Sequence, residues 1–328
     1  MKRCGILLVC ACAWLLLPWS ASAGVPKYTI KIGSANEPDH YHSLAGDKFA
    51  EIVKAKSNGD ILVNHYPAQQ LGTEPEMVSL AQGGTMQMFI VSPGNLGNFV
   101  KDFQVMLCPY IWRDYAHLKK TMEGPIGKDL GDQLLASKGV RMLDALWVNG
   151  PRHLTTKSLA VTKPDDLKGV KIRAPQAPIY LAAVKSLGAN PVPVDFAELY
   201  MALQQGVAEG QENALGTIDS KKYYEVQNFV MLTGHIYQSQ IVGINAKFFD
   251  SLPANYQKII VDAVKEAREY NNKLQLEADE RAKEKFVKLG MKIVEPNVAL
   301  FRENAKKYMK ELESLWSPGL YDKIVAVI

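Results

Sequence analysis

Two arginines set among apolar and glycine-marked residues are the side chains of this sequence best suited to hold a ligand. Arg173 closes the apolar run Val170-Lys171-Ile172, and Pro175 fixes the chain just beyond it. Arg152 follows Trp147-Val148-Asn149-Gly150-Pro151, and Trp147 on that segment is a candidate contact beside it. A guanidinium at the carboxyl end of a strand points into the crevice where open α/β sheets bind ligands. It also offers a planar fork that pairs two-on-two with a carboxylate. Composition alone leaves the plainer alternative open, a solvated surface arginine at either position. Gly210-Gln211-Glu212-Asn213 is the third unusual segment. It puts several donors and acceptors on a short stretch of backbone, as a ligand site or as an ordinary turn.

Of the six histidines, only His40 and His42 lie close together, in Asn36-Glu37-Pro38-Asp39-His40-Tyr41-His42. On a strand-to-helix loop they would reach a metal, but no second histidine pair or cysteine completes a zinc set by sequence. A polar loop facing ligand or solvent is the expectation, with no metal and no cofactor. Gly-x-Ser-x-Gly, a Gly-rich loop ending in Lys-Ser/Thr, and His-Glu-x-x-His are all absent. An exported hydrolase built on Glu37, His40 and His42 is the remaining enzymatic alternative. It lacks a nucleophile–base–oxyanion constellation, and a chain that is not an enzyme is expected.

The elements that must position these residues are bounded first by composition. At 328 residues, the usual ~100–200 residues per domain favour two domains. A hydrophobic content of 47% with 22% charged residues excludes a disordered chain, a collagen and a coiled-coil rod. The formal net charge of +4 gives no warrant for a nucleic-acid partner. Met1-Lys2-Arg3, an apolar run from Ile6 to Leu17 and the small residues Ala21-Ser22-Ala23 read as a cleaved secretory signal, residues 1–23. That run is shorter than the ~20 residues that span a bilayer. An exported protein that is not membrane-embedded is expected. Cys4, Cys10 and Cys12 fall in the signal, so only Cys108 remains, in an apolar stretch that reads as buried.

Periodicity supplies the elements. Tyr28 to Gly33 alternates like a strand, Ser43 to Lys56 carries apolar residues at helical spacing, and Ile61 to Tyr66 is a second strand. A helix at Met77 to Gln82 and a strand at Met86 to Val91 complete an order that favours a parallel sheet with helices on its faces. The order then repeats: strand Arg141 to Trp147, a turn at Asn149-Gly150-Pro151, strand Val170 to Ala174, helices near Ile179–Leu187 and Phe196–Gln205. The boundary between the two α/β units falls near Gly150. One helical pattern runs from Ala254 to Leu289. At ~1.5 Å per residue it would reach about 50 Å and lie across both units, unless it breaks near Asn271-Asn272. No long linker separates the units, so they share strands or helices.

Leu167-Lys168-Gly169-Val170-Lys171-Ile172-Arg173-Ala174-Pro175 resembles the "LKGLKIRVP" signature of the solute-binding proteins of TRAP transporters, the DctP family. Leu187-Gly188-Ala189-Asn190-Pro191, with Phe196 to Gln204, is similar to the family's "GA-P…E-Y-ALQ" block. Gly210-Gln211-Glu212-Asn213 matches its "DGQEN" element with Glu209 in place of Asp, and Tyr66 to Gly72 its "P-sqLG" turn. The similarity runs from about Tyr28 to Ala305.

The resemblance implies a periplasmic two-lobed binding protein, each lobe a mostly parallel sheet flanked by helices, with a long helix spanning both. Lobe I would comprise 24–149 and 239–278, and lobe II 150–238 and 279–328. Such a protein captures an organic anion and hands it to a membrane permease, or serves a sensor kinase through the same cleft. Arg173 falls on the arginine that clamps the ligand carboxylate, Arg152 on the second arginine of sialic-acid and sugar-acid binders, and Asn213 on the asparagine that orients the carboxylate. Phe196 falls where an aromatic packs on the ligand and Gln176 where a polar side chain reaches it. Ser92 stands where sialic-acid binders carry an acid, which counts against sialic acid. Glu37, His40, His42 and Glu74 offer acceptors suited to several hydroxyls, since a buried unpaired hydroxyl costs ~1–3 kcal/mol. A uronate-like sugar acid, glucuronate or galacturonate, is therefore favoured over a C4-dicarboxylate or other monocarboxylate.

Overall fold

The computed structural model describes residues 25–328. The expected signal at 1–23, with Cys4, Cys10 and Cys12, lies outside the described residues. The strands are β1 (Tyr28–Ser34), β2 (Ile61–Tyr66), β3 (Met88–Val91), β4 (Val140–Thr156) and β5 (Lys171–Ala174). They continue with β6 (Asn190–Pro193), β7 (Gly210–Ala214), β8 (Phe229–Asn245) and β9 (Lys292–Val294). Together they form one mixed sheet in the order β2-β1-β3-β8-β4-β7-β5-β6, with β9 beside β8.

The two flanks are parallel, as expected: β1 with β2 and β3, and β5 with β6 and β7. The junction is not. β4 and β8, 17 residues each, pair antiparallel with one another and pass through both lobes. The turn expected at Asn149-Gly150-Pro151 is instead a bulge inside β4, where the register slips between Val148 and Gly150. Gly150 has φ +92°, and a Cβ there would stand 2.5 Å from Nε2 of Gln275. Glycine and proline marked an irregularity that the strand absorbs without reversing.

The bulges leave backbone groups of β4 without strand partners, and the long helix Ala254–Lys288 satisfies them. Asn271 donates to the Val148 carbonyl at 2.9 Å, Asn272 accepts from the Val148 N–H at 2.9 Å and donates to the Leu146 carbonyl at 3.1 Å. The two asparagines pin the helix to the sheet rather than break it. Its first half buries Ile260, Ala263, Val264 and Ala267 with Ile30, Phe49 and Ile244. Its second half buries Ala282 and Phe286 with Leu203, Tyr223 and Val230. One helix thus serves a core in each lobe. The helix Glu74–Gln82 begins three residues earlier than its apolar pattern, because Thr73 and Glu76 form a capping box around Pro75.

Asp279 lies on the long helix beside Gly150, accepts from Gln275 at 2.6 Å through Oδ2, and keeps its Oδ1 buried. Burial pushes its carboxyl up to about 7, against Lys283, Gln275 and the Gly216 N–H. The folded chain therefore holds a proton there that the unfolded chain releases near pH 4, and this group's contribution to stability falls as pH rises from about 4 to 7. Asp279→Asn is expected to raise stability on the order of 2 kcal/mol at pH 8 and to do nothing at pH 4. Thermal melts at the two pH values check it; an equal shift at both would contradict it.

Candidate functional site

Arg173 stands at the carboxyl end of β5, in register with Val192 of β6 and Gln211 of β7. It is 1% exposed. Nε donates to the Val194 carbonyl at 2.9 Å, which fixes the plane of the fork. Nη2 is buried and has no hydrogen-bond partner. Burial pulls its pKa down, opposed by Tyr223 and Glu212 and reinforced by the like charge of Arg152. A desolvated guanidinium with an orphan N–H gains most from an anion.

Arg152, on β4, is already committed. Nε donates to Glu212 Oε2 at 2.5 Å, Nη2 to Glu212 Oε1 at 2.7 Å, and Nη1 to Gln238 Oε1 at 2.5 Å. His235 Nε2 lies 3.1 Å from the same carboxylate. Burial alone would raise Glu212, but the charge of Arg152 and the bonds from His235 and Arg152 overcome it and hold Glu212 at about 2. The pair cancels in charge, so Arg152 positions the wall of the site rather than adding a second cation to it.

Arg173, Arg152, Asn213, Glu74, Ser92, Gln176 and Phe196 line one cavity of about 380 Å³ between the lobes. Asn213 is held by a chain of amides: its Nδ2 donates to Gln211 at 2.6 Å, and Gln211 donates to Thr155 at 3.0 Å. Phe196 lies 5.9 Å from the Arg173 guanidinium. Glu74 Oε2 accepts from the Ser92 N–H at 3.0 Å, the Ser92 hydroxyl at 2.6 Å and Asn95 at 2.8 Å. Burial pushes the Glu74 pKa up, and these bonds oppose it. Ser92 therefore holds an acid in place instead of supplying one.

Four candidates lie outside that cavity. Glu37 pairs with Lys221 at 2.5 Å. His40 caps the helix Tyr41–Lys56 by accepting from the His42 N–H at 3.1 Å, and its Nε2 lies 3.3 Å from the Thr217 hydroxyl. His42 bridges Asn271 at 2.8 Å and Asn149 at 3.1 Å, and burial pulls it down to about 4. Trp147 is fully buried with Ile30 and Phe49. The His40 and His42 rings lie 4.9 Å apart, while Glu37 is engaged by Lys221 and His42 by Asn271 and Asn149.

Tyr180, Gln238 and Gln240 line the cavity and escaped sequence reasoning. Tyr180 lies 5.2 Å from the Arg152 guanidinium. Gln238 and Gln240 sit on β8, both buried, and the signal they left is a polar Gln238-Ser239-Gln240 run between apolar residues of the strand.

The model of bacterial extracellular solute-binding protein, family 7 (DctP), matches residues 32–315. This chain belongs to that family. A curated relative, the 2,3-diketo-L-gulonate-binding periplasmic protein YiaO of Escherichia coli (strain K12), is 31% identical over 84% of this chain and 83% of its own length. The TRAP periplasmic solute-binding protein of Polaromonas sp. JS666, solved with D-erythronate, is 30% identical with a TM-score of 0.86, covering 92% of this chain and 99% of that one. The protein of Sulfurospirillum deleyianum DSM 6946, solved with succinate, is 29% identical with a TM-score of 0.86, covering 93% and 100%. A family 7 protein is a solute-binding partner of a TRAP transporter and takes small organic acids. Among the described residues no helix is long and apolar enough to cross a membrane.

Proposed function

We propose that this family 7 protein closes its lobes on a sugar-acid monocarboxylate in the periplasm and delivers it to the permease subunits of a TRAP transporter. Glucuronate and galacturonate are the expected ligands. In this reading lobe I is 24–149 with 239–278, lobe II is 150–238 with 279–328, and residues 1–23 are removed on export. The observation that carries it is the orphan Nη2 of Arg173 on a cavity otherwise walled largely by amides and hydroxyls. One cation matches one carboxylate, and Asn36, Asn95, Gln176, Thr217 and Gln240 suit hydroxyls along the rest of the ligand. A second carboxylate would meet Glu74 there instead of a cation. 2,3-Diketo-L-gulonate and D-erythronate, named for two relatives, share this chemistry. The succinate held by the third relative supports a C4-dicarboxylate as the second reading.

A thermal-shift panel of D-glucuronate, D-galacturonate, D-erythronate and succinate separates the readings. Ligand at a thousand times its Kd adds ~4 kcal/mol, a shift on the order of 10 °C for a chain of this size. The largest shift is expected from a uronate. A shift from succinate alone would replace the ligand class, and no shift from any of them would remove the carboxylate clamp.

A further inference from the structure

We propose that Lys221 and Glu37 form a latch that holds the two lobes together over the ligand cavity. Glu37 lies in the loop after β1, and Lys221 ends the helix Leu215–Ser220 that follows β7. Between β1 and β7 in the sheet stand β3, β8 and β4. At about 4.8 Å per strand step their strands are on the order of 19 Å apart. The two side chains nevertheless meet at 2.5 Å, with side-chain exposures of 32% for Glu37 and 16% for Lys221. They meet because each rides on a segment that leaves its own half of the sheet, and Asn36 next to Glu37 and Thr217 on the helix before Lys221 both line the cavity.

The same ammonium lies 4.6 Å from the centroid of the Phe196 ring, and the Arg173 guanidinium 5.9 Å from that centroid. Phe196 lines the cavity. One aromatic ring therefore touches both the group that bridges the lobes and the group that clamps the ligand carboxylate. An ion pair made only when the lobes are together favours the closed form by its own free energy, and affinity rises in proportion to the closed fraction. Partial burial shields the pair from the screening that weakens surface pairs. Lys221 is thus a positioning residue: it does not line the cavity and acts through Phe196 and Glu37.

The latch rests on the two-lobed capture reading, and its test separates the two. Spin labels on cysteines replacing the exposed Glu51 and Glu198, one on each lobe, report the interlobe distance by pulsed electron resonance. The native Cys108 does not compete, being buried with its thiol pushed up to about 12. Wild type, Glu37→Gln, Lys221→Met and the charge swap Glu37→Lys/Lys221→Glu are compared alone and with D-glucuronate, D-erythronate and succinate. Lys221→Met keeps an unbranched apolar side chain beside Phe196 and removes the charge.

Each single variant is expected to show more of the long-distance population than wild type. Each should bind any acid that closes the wild type roughly fivefold more weakly, through faster release, with the swap recovering to within about twofold. A merely structural role would lower the melting temperature without this recovery. Single variants that superpose on wild type, with and without the acids, would overturn the latch. If glucuronate and erythronate leave the wild-type distance unchanged while the single variants still open, the latch stands and the sugar-acid reading falls.

Discussion

Arg173→Ala is expected to cut affinity for the carboxylate ligand by roughly 100-fold or more while leaving the ligand-free fold no less stable. Truncating one partner of a buried, hydrogen-bonded charge pair costs about 2–5 kcal/mol, and each 1.4 kcal/mol is about tenfold. Without ligand the sign differs, because burial already disfavours this guanidinium and its Nη2 has no partner. Removing the charge relieves that cost at the expense of a small cavity. Arg173→Lys should also weaken binding strongly, since an ammonium cannot present two parallel N–H groups. Calorimetric titration paired with thermal melts of the ligand-free variants measures both signs. Binding within tenfold of wild type in Arg173→Ala would remove the arginine from the clamp.

Glu212→Gln is expected to behave in the opposite way, losing fold before it loses ligand chemistry. Arg152 and Glu212 are both buried, and breaking such a pair from one side costs about 3–5 kcal/mol because a charge is left unpaired. For a chain of this size that is on the order of 10 °C in melting temperature. The pH dependence carries the same signature. In the folded chain the charge of Arg152 holds Glu212 at about 2, well below the usual carboxylate range, so its stabilisation is present above about pH 4.5 and is lost as pH falls towards 2. Glu212→Gln should flatten that acid limb in urea titrations at pH 7, 4 and 2.5. The double replacement Arg152→Met/Glu212→Leu should recover part of the loss, since an apolar pair leaves no charge stranded. An unchanged acid limb in Glu212→Gln would place the pH sensitivity elsewhere.

The strands Tyr28–Ser34 and Ile61–Tyr66 and the helix Ala254–Lys288 were legible because each repeats one period between clear stops. β8 was not. It is buried along most of its length, so it shows no alternation, and its amides look like loop residues until the ladder beside β4 is seen. In the site, Arg173 and Arg152 stood out as charged residues among apolar and glycine-marked neighbours and Asn213 as part of Gly210-Gln211-Glu212-Asn213, while the sheet sets Arg173 beside Gln211 and His153 beside Asn213. His42 misled. Its spacing from His40 suggested a shared task, while its actual partner, Asn271, is 229 residues away in sequence. Trp147 sits two residues before a residue that lines the cavity, but a strand alternates faces only while its register holds, and the bulges around Trp147 break that count.

The two 17-residue strands that both lobes share have a consequence for how the chain can come apart. Cutting the molecule into its lobes would divide a single antiparallel ladder crosswise, leaving each fragment with half of two strands and with a long helix missing half its partners. Neither fragment would hold a complete set of backbone pairings. The lobes are therefore not modules that recombination can exchange between relatives. The shared ladder and helix favour folding and melting as one cooperative unit, so substitution along the cleft walls disturbs less of the structure than swapping halves would.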